Sequence, residues 1–218
     1  MTSIRILSIF SILLAFATCT SKGNSDFSAP VISKEAASKL DTAYFASGCF
    51  WCTEAVFERV KGVYDVVSGY SGGKKQNPNY REVSAGITEH AEAVRVLYDP
   101  EEVNYTSLVE IFFGSHDPTT LNRQGPDVGK QYRSAIFYAS EEEKEIAIRI
   151  KTNLDSEGVF KNPIITEITA FEKFWYAEDY HQNYYEIHPN QPYIVSVSRP
   201  KVEKFMKQFK DKLKEQYK

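Results

Sequence analysis

The chain has 218 residues, with 26 Lys and Arg against 29 Asp and Glu, which gives a formal net charge of −3. Hydrophobic residues make up 42% and charged residues 25%, as in ordinary globular proteins, which excludes a collagen-like, wholly disordered or multi-span membrane chain. The near-neutral balance argues against general nucleic-acid binding, because such binding needs a basic face.

The N-terminal segment has the features of an export signal. Arg5 precedes an uncharged apolar run at residues 6–18, which is too short to span a bilayer. Cys19 follows at once, as in bacterial lipoprotein signals, so we expect lipidation there and a lipid-anchored protein of the bacterial envelope or periplasm. Ordinary cleavage nearby, with Cys19 left free, is the alternative. Residues 19–40 are predicted to form a flexible tether.

The rest of the chain alternates strand and helix signals. In chain order the patterns predict a strand at 42–46, a helix at 52–60, strands at 63–67 and 92–98, a helix at 105–114, a strand at 134–138, a helix at 141–155 and a strand at 164–170. Gly, Asn and Pro predict loops at 71–80 and 115–131, and the second is long enough to indicate function. The β-α-β-β-α-β order indicates an α+β fold, a two-layer α/β sandwich around a split βαβ, ferredoxin-like core with extra long loops.

The predicted layout is a single catalytic domain at 41–198, followed by a basic amphipathic C-terminal helix at 199–218. That tail has eight basic and three acidic residues and one apolar face. We favour a docked, solvated helix over a contact with an anionic membrane. Just before it, aromatic residues at a spacing of four predict one further helix with a core stripe, and the alternative for Tyr184 is a place at the border of the pocket. The residues of this helix are Tyr176, Tyr180, His181, Tyr184, Tyr185 and His188.

The cysteines carry the first chemical signal. Cys49 and Cys52 form a Cys-Phe-Trp-Cys motif between a predicted strand with Gly48 and the start of a predicted helix. Unpaired N–H groups and the helix dipole favour a thiolate there, so Cys49 is expected to be acidic and nucleophilic. Cys52, one turn later, can form a disulfide with Cys49, although two buried, inert thiols are the plain structural alternative.

We expect no metal site. A zinc site needs a second pair of ligands, and no further Cys is available once Cys19 is lipidated. The four histidines show no regular ligand spacing: His90, His116, His181 and His188.

The cysteine motif belongs to a longer pattern. Several segments occur in order over about residues 42–185: Gly48-Cys49-Phe50-Trp51-Cys52-Thr53-Glu54, Gly69-Tyr70-Ser71-Gly72-Gly73, Tyr80-Arg81-Glu82-Val83, His90-Ala91-Glu92-Ala93-Val94, and the loop from His116 to Ser134. Together they resemble the peptide methionine sulfoxide reductase A family. The resemblance implies that family's α/β sandwich and reduction of the S epimer of methionine sulfoxide, in proteins and as the free amino acid.

The resemblance also implies roles for individual residues. Glu92 matches the catalytic acid, which must stay protonated near neutral pH. Tyr80 and Tyr132 match hydroxyl donors to the sulfoxide oxygen. Asp127 matches a polar residue that orders the site, although loop capping is an alternative.

Reduction of a sulfoxide requires a soft nucleophile, an acid and a pocket for the methyl group. Cys49 supplies the nucleophile and ends as a sulfenic acid. Phe50 and Trp51 can wall an apolar methyl pocket, with ordinary core packing as their alternative. Glu54 is interpreted as support for the helix N-terminus, and the pair His116-Asp117 as holding the long loop.

This chain differs from many relatives in its resolving cysteines. Those relatives have resolving cysteines near the C-terminus, whereas here no cysteine follows Cys52. Cys52 must therefore resolve the sulfenic acid, or an external thiol must attack Cys49 directly. We expect no bound cofactor, a thioredoxin-like or small-thiol reductant, and a monomer. A thioredoxin-like disulfide exchanger is the alternative function, but it leaves Glu92, Tyr80 and Tyr132 without a role. An anchored binding module for Met-rich proteins, without turnover, is a third possibility.

Overall fold

The computed structural model describes residues 39–218. The predicted signal, nearly all of the tether and Cys19 lie outside these residues. The strands are β1 Asp41–Ser47, β2 Val63–Ser71, β3 Ala91–Tyr98, β4 Arg123–Gln124, β5 Asp127–Val128, β6 Ser134–Tyr138, β7 Glu167–Ala170 and β8 Phe174–Tyr176. The helices are α1 Phe50–Glu58, α2 Tyr80–Ser84, α3 Tyr105–Ser115, α4 Glu141–Ser156, α5 Tyr184–Ile187 and α6 Arg199–Gln208. No helix within 39–218 combines the length and apolar character needed to cross a bilayer.

Six strands form one sheet in the order β7-β6-β1-β3-β2-β8. Its four inner strands, β6, β1, β3 and β2, pair with one another in antiparallel fashion, with α1 following β1 and α3 following β3. This is the predicted split βαβ core, which is therefore confirmed. β7 lies parallel to β6, and β8 lies antiparallel to β2.

The main core lies where α1 and α3 cover the sheet. Phe45 of β1 is fully buried there, with its ring centroid 5.0 Å from that of Phe57 on α1 and 5.3 Å from that of Phe112 on α3. Burial of one such side chain stabilises the fold by about 2–3 kcal/mol. This packing fixes α1 against β1, and so fixes the turn between them.

Strand β2 is longer than the predicted strand at 63–67 and extends to the first residue of the predicted loop at 71–80. β2 runs on to Ser71 and pairs with β8, which the sequence analysis did not predict. A side chain at Gly69 would overlap Phe174 and the carbonyl of Trp175. The glycine therefore permits the close approach of a neighbouring strand and does not end its own.

The predicted aromatic helix near residue 180 is wrong. Tyr176 ends β8, a single 3₁₀ turn covers Asp179–His181, and Asn183 adopts a left-handed backbone with φ 52° before the four-residue α5. The spacing of four did not indicate a helix here, because the aromatic side chains pack against several different elements and not along one helical face.

The C-terminal tail is docked on the body. Ile194–Ser198 has π-helical geometry and leads directly into α6, where Val202 and Phe205 are buried. The α-helix ends at Gln208, so the predicted helix to residue 218 is too long. Leu213 then forms a bridge with Val60 at the end of α1.

Candidate active site

The turn between β1 and α1 positions Cys49. Gly48 has a φ of +96°, and a Cβ there would lie 2.6 Å from Cβ of Gln124 in β4. Only glycine accommodates both the conformation and the contact. Cys49 occupies the N-cap position of α1, and its carbonyl accepts the N–H of Cys52 at 3.1 Å. Both thiols are buried, and neither is in a disulfide.

The carboxyl of Glu92 lies at the same helix end. Its Oε2 accepts the N–H of Phe50, the first residue of α1, at 3.0 Å. Glu92 is only 2% exposed, and burial raises its pKa to about 8 despite that hydrogen bond. The group is therefore protonated at neutral pH, which is the state that an acid catalyst needs.

The expectation of an acidic Cys49 is wrong for the site without substrate. Burial, followed by the contact with Cys52 and the charge of Glu92, raises the pKa of the Cys49 thiol well above its ordinary value. The N–H that would stabilise a thiolate at this helix end donates to Glu92, and Cys49 makes no side-chain cap hydrogen bond. In contrast, the hydrogen bond from Cys49 lowers the pKa of Cys52 to about 7, against the effect of burial.

Two tyrosines face this pair. Tyr80 begins α2, where its backbone N–H donates to Oε1 of Glu178 at 2.9 Å. Burial and the charge of Glu92 raise the pKa of Tyr80 to about 12, and they raise the pKa of Tyr132 as well. The charge of Cys49 acts on both phenols. Both hydroxyls therefore remain neutral, and each can donate a hydrogen bond.

Asp127 belongs to the site through a residue that the sequence analysis missed. Its Oδ2 accepts the hydroxyl of Tyr193 at 2.6 Å. Tyr193 also acts on the Cys49 thiol, whose pKa it lowers against the larger effect of burial. Asp127 therefore orients Tyr193 towards Cys49. Nothing in the local pattern around Tyr193 signals this role, because the contact joins β5 to a residue far along the chain.

The aromatic side chains form a wall beside Cys49. Phe50 is buried, with its ring centroid 4.9 Å from that of His181. The indole N–H of Trp51 donates to Nδ1 of His181 at 3.1 Å, and the Tyr184 ring stacks on Trp51 at 3.9 Å. Burial lowers the pKa of His181 to about 4, so its ring is neutral and Nδ1 can accept. The contacts of Tyr184 and His181 with the Trp51 indole were not predicted.

Glu54 and His116 make contacts that stabilise the structure around the site. Glu54 is 1% exposed, its Oε1 accepts the N–H of Asn183 at 3.1 Å, and burial raises its pKa well above its ordinary value. It is thus a buried neutral carboxyl, and its interpretation as a charge at the helix N-terminus is wrong. His116 bonds to the carbonyl of Phe112 and to Ser134, which fixes the start of the long loop. Within 39–218, no three His, Cys, Asp or Glu side chains are arranged to hold a metal ion.

Comparisons with known proteins agree with this geometry. A sequence model of the peptide methionine sulfoxide reductase family matches residues 41–213. Peptide methionine sulfoxide reductase MsrA 1 of Rhodopirellula baltica is 53% identical over 174 residues, which cover 80% of this chain and 90% of that protein. MsrA of Sulfolobus acidocaldarius is 54% identical over 173 residues, covering 79% and 97%.

Two solved structures are similar in fold. Reduced Mxr1 of Saccharomyces cerevisiae matches with a TM-score of 0.65 and 34% identity, covering 71% of this chain and 88% of that one. Methionine sulfoxide reductase A of Corynebacterium diphtheriae matches with a TM-score of 0.63 and 36% identity, covering 70% and 77%.

Proposed function

The chain belongs to the peptide methionine sulfoxide reductase family, and we propose that it reduces the S epimer of methionine sulfoxide, in proteins and as the free amino acid, through Cys49 and Glu92. It is an oxidoreductase of oxidised methionine. One observation carries the residue assignment: a carboxyl that burial keeps protonated lies at the same helix end as a buried cysteine.

The chemical step transfers one oxygen atom. The Cys49 sulfur attacks the sulfoxide sulfur while Glu92 gives its proton to the oxygen. The attack forms an S–S bond between Cys49 and the substrate. As the oxygen moves to Cys49, both this S–S bond and the S–O bond of the substrate break, so Cys49 becomes a sulfenic acid and methionine leaves. The proton of the Cys49 thiol passes to Glu92, which restores the carboxyl. Because burial opposes the Cys49 thiolate, this proton is lost only as substrate binds.

The neutral phenols of Tyr80 and Tyr132 assist at the oxygen. Negative charge builds there as the thiol attacks, and a hydroxyl that is already positioned stabilises that charge without reorganisation. Asp127 assists indirectly, since it holds the hydroxyl of Tyr193 beside Cys49. Phe50 and Trp51 provide the apolar wall for the methyl group.

Recycling uses Cys52 and an external reductant. Cys52 attacks the sulfenic acid, and a thioredoxin-like protein or a small thiol then reduces the Cys49–Cys52 disulfide. The two cysteines lie one helical turn apart at the start of α1, and each affects the pKa of the other, which supports this route. No bound cofactor takes part in this scheme, and the chain acts as a monomer.

A single-turnover assay tests the function. One equivalent of a methionine-S-sulfoxide peptide is mixed with the reduced protein, and released methionine peptide is measured. We expect about one equivalent from the wild type and from Cys52→Ser, whose sulfenic acid a trapping reagent should capture, and none from Cys49→Ser. The R epimer is the control substrate. Substantial turnover by Cys49→Ser would reject the nucleophile, and disulfide exchange without sulfoxide reduction would favour the thioredoxin-like alternative.

Export with a lipid on Cys19 remains part of the proposal. It is supported by Arg5 and the apolar run before Cys19. Mass spectrometry of the mature protein should find a diacyl or triacyl group on an N-terminal Cys19. An unmodified N-terminus elsewhere would indicate plain secretion.

A further inference from the structure

We propose that Ser198 and Lys201 make Cys52 the attacking thiolate in the step that closes the Cys49–Cys52 disulfide, an inference that rests on the recycling role proposed above for Cys52. Both residues belong to the C-terminal segment that packs on α1. Neither is needed for the transfer of oxygen to Cys49. They act as positioning residues on the second thiol.

Ser198 is in direct contact with Cys52. The Cys52 thiol donates to Oγ of Ser198 at 3.1 Å, and Ser198 is 0% exposed, so no solvent competes for this bond. A helical serine commonly donates to the carbonyl four residues earlier, as Ser196 does to Pro192 at 2.7 Å. Ser198 forms no such bond within the part of the chain that the structure describes. Its hydroxyl proton is therefore available to a Cys52 thiolate.

Lys201 follows one turn later on α6 and brings a positive charge to the same thiol. Its Nζ is buried and has no hydrogen-bond partner among residues 39–218. An unpaired buried ammonium is unfavourable, and a thiolate on Cys52 would supply the missing counter-charge. His116 adds no competing positive charge nearby, because burial lowers its pKa to about 4 and its ring is neutral.

The backbone of this segment has a distinct geometry that places both residues. Ile194–Ser198 forms a π-helical turn, a feature often found at functional sites. Pro200 has no N–H for the carbonyl of Ser196, and its ring would clash with that carbonyl in an α-helix, so the turn before it is widened. As a result, Tyr193 at one end reaches Cys49, and Ser198 at the other end reaches Cys52.

The charges around Cys52 agree with this assignment. The hydrogen bond from Cys49, then Lys201 and Ser198, lower the pKa of Cys52 to about 7 against the effect of burial. Asp127 opposes them with its negative charge, while Glu92 and Tyr193 face the thiol in their neutral forms. Once Cys49 is oxidised, its thiol no longer donates to Cys52, so Lys201 and Ser198 are the groups that still favour the Cys52 thiolate.

The groups already in the site supply every proton and electron that the resolving step needs. The Cys52 thiolate attacks the sulfenic sulfur of Cys49, the S–S bond forms and the S–O bond breaks. Hydroxide leaves and takes the proton of Glu92, so the product is water. Cys52 is oxidised and Cys49 reduced to the level of the disulfide, with no further oxidant.

The test separates the two steps in one reaction. Reduced wild type, Ser198→Ala and Lys201→Met are each mixed with one equivalent of methionine-S-sulfoxide peptide, and both methionine release and disulfide formation are followed by quenching and mass spectrometry between pH 5 and pH 9. Lys204→Met on the same helix is the matched control, and Lys201→Arg restores the charge.

We expect unchanged methionine release in all variants, which also shows that they fold. Disulfide closure in Ser198→Ala and Lys201→Met should have its pH midpoint about one unit higher and be about tenfold slower at pH 6, since thiolate falls tenfold per pKa unit. Lys204→Met and Lys201→Arg should behave as wild type. If disulfide closure in both test variants has the same pH midpoint as in the wild type, the role of Ser198 and Lys201 is rejected, while the resolving role of Cys52 stands. Absence of any Cys49–Cys52 disulfide in the wild type would instead overturn the resolving role of Cys52, and this inference with it.

Discussion

Glu92 accepts the first N–H of α1 and still holds its proton near neutral pH. The helix end favours the carboxylate, but complete burial favours the neutral acid more strongly, and the pKa is raised to about 8. The same competition explains Cys49, where burial again disfavours the anion. At the scale of single residues, solvent exclusion therefore outweighs position at a helix N-terminus.

This balance predicts how activity depends on pH. Because Glu92 is protonated below about 8, the single-turnover rate of the wild type should fall as pH rises through that value. Glu92→Gln keeps a hydrogen-bonding group but has no acidic proton, so the rate should drop by roughly 10² or more and the alkaline limb near pH 8 should disappear.

Rapid-quench measurement of methionine release from pH 5.5 to pH 9.5 provides the comparison. Glu89→Gln, which alters an exposed carboxylate paired with Lys130, is the matched control and should follow the wild-type profile. A Glu92→Gln protein that matches the wild type at every pH would remove this carboxyl from the mechanism.

At the scale of elements, the sequence predicts what local periodicity encodes. The alternation in β3 and the apolar spacing of α3 are local patterns, and both elements were predicted within one residue of their ends. α2 was missed because five residues are too short for a periodic signal, and its capping box, Asn79 with Glu82, was not used. β8 was missed because its partner strand is about a hundred residues earlier in the chain.

The site divides in the same way. Cys49, Glu92, Tyr80 and Tyr132 come together as expected, since they stand in motifs with a family resemblance. Tyr193 and Ser198 act on residues far away in the sequence. The Tyr193 hydroxyl donates to Asp127, and the Ser198 hydroxyl accepts the Cys52 thiol. No single-sequence pattern predicts such contacts, because they depend on where the C-terminal segment docks.

At the scale of the whole molecule, the end of α1 holds the C-terminal tail in place. Arg59 is 5% exposed; its guanidinium binds Glu186 at 2.6 Å and lies over the Tyr217 ring at 4.6 Å. Its carbonyl accepts the N–H of Lys214 at 2.9 Å. The tail thus closes over the same helix that carries both cysteines, and the tail also supplies Ser198 and Lys201.

Glu58 lies beside this junction and couples it to pH. Burial and the charge of Glu186 raise its pKa from 4.5 to about 7, against the charges of Arg59 and Lys214. A carboxyl whose pKa is higher in the folded than in the unfolded state stabilises the fold fully below about pH 4.5, and this contribution is lost as pH rises through about 7. At about 1.4 kcal/mol for each pKa unit, the loss for Glu58 is on the order of 3 kcal/mol.

Glu58→Gln should therefore gain stability relative to the wild type as pH rises. We expect the difference in free energy of unfolding between the two proteins to shift by about 3 kcal/mol in favour of Glu58→Gln from pH 5 to pH 8. Urea titrations at each pH measure this, and subtraction removes contributions common to both proteins. These include His181 and His116, whose lowered pKa values reduce stability only as pH falls below about 6.5. Glu110→Gln, at an exposed position on α3, should show no shift. If the difference for Glu58→Gln is the same at pH 5 and pH 8, the junction is not held by a protonated Glu58.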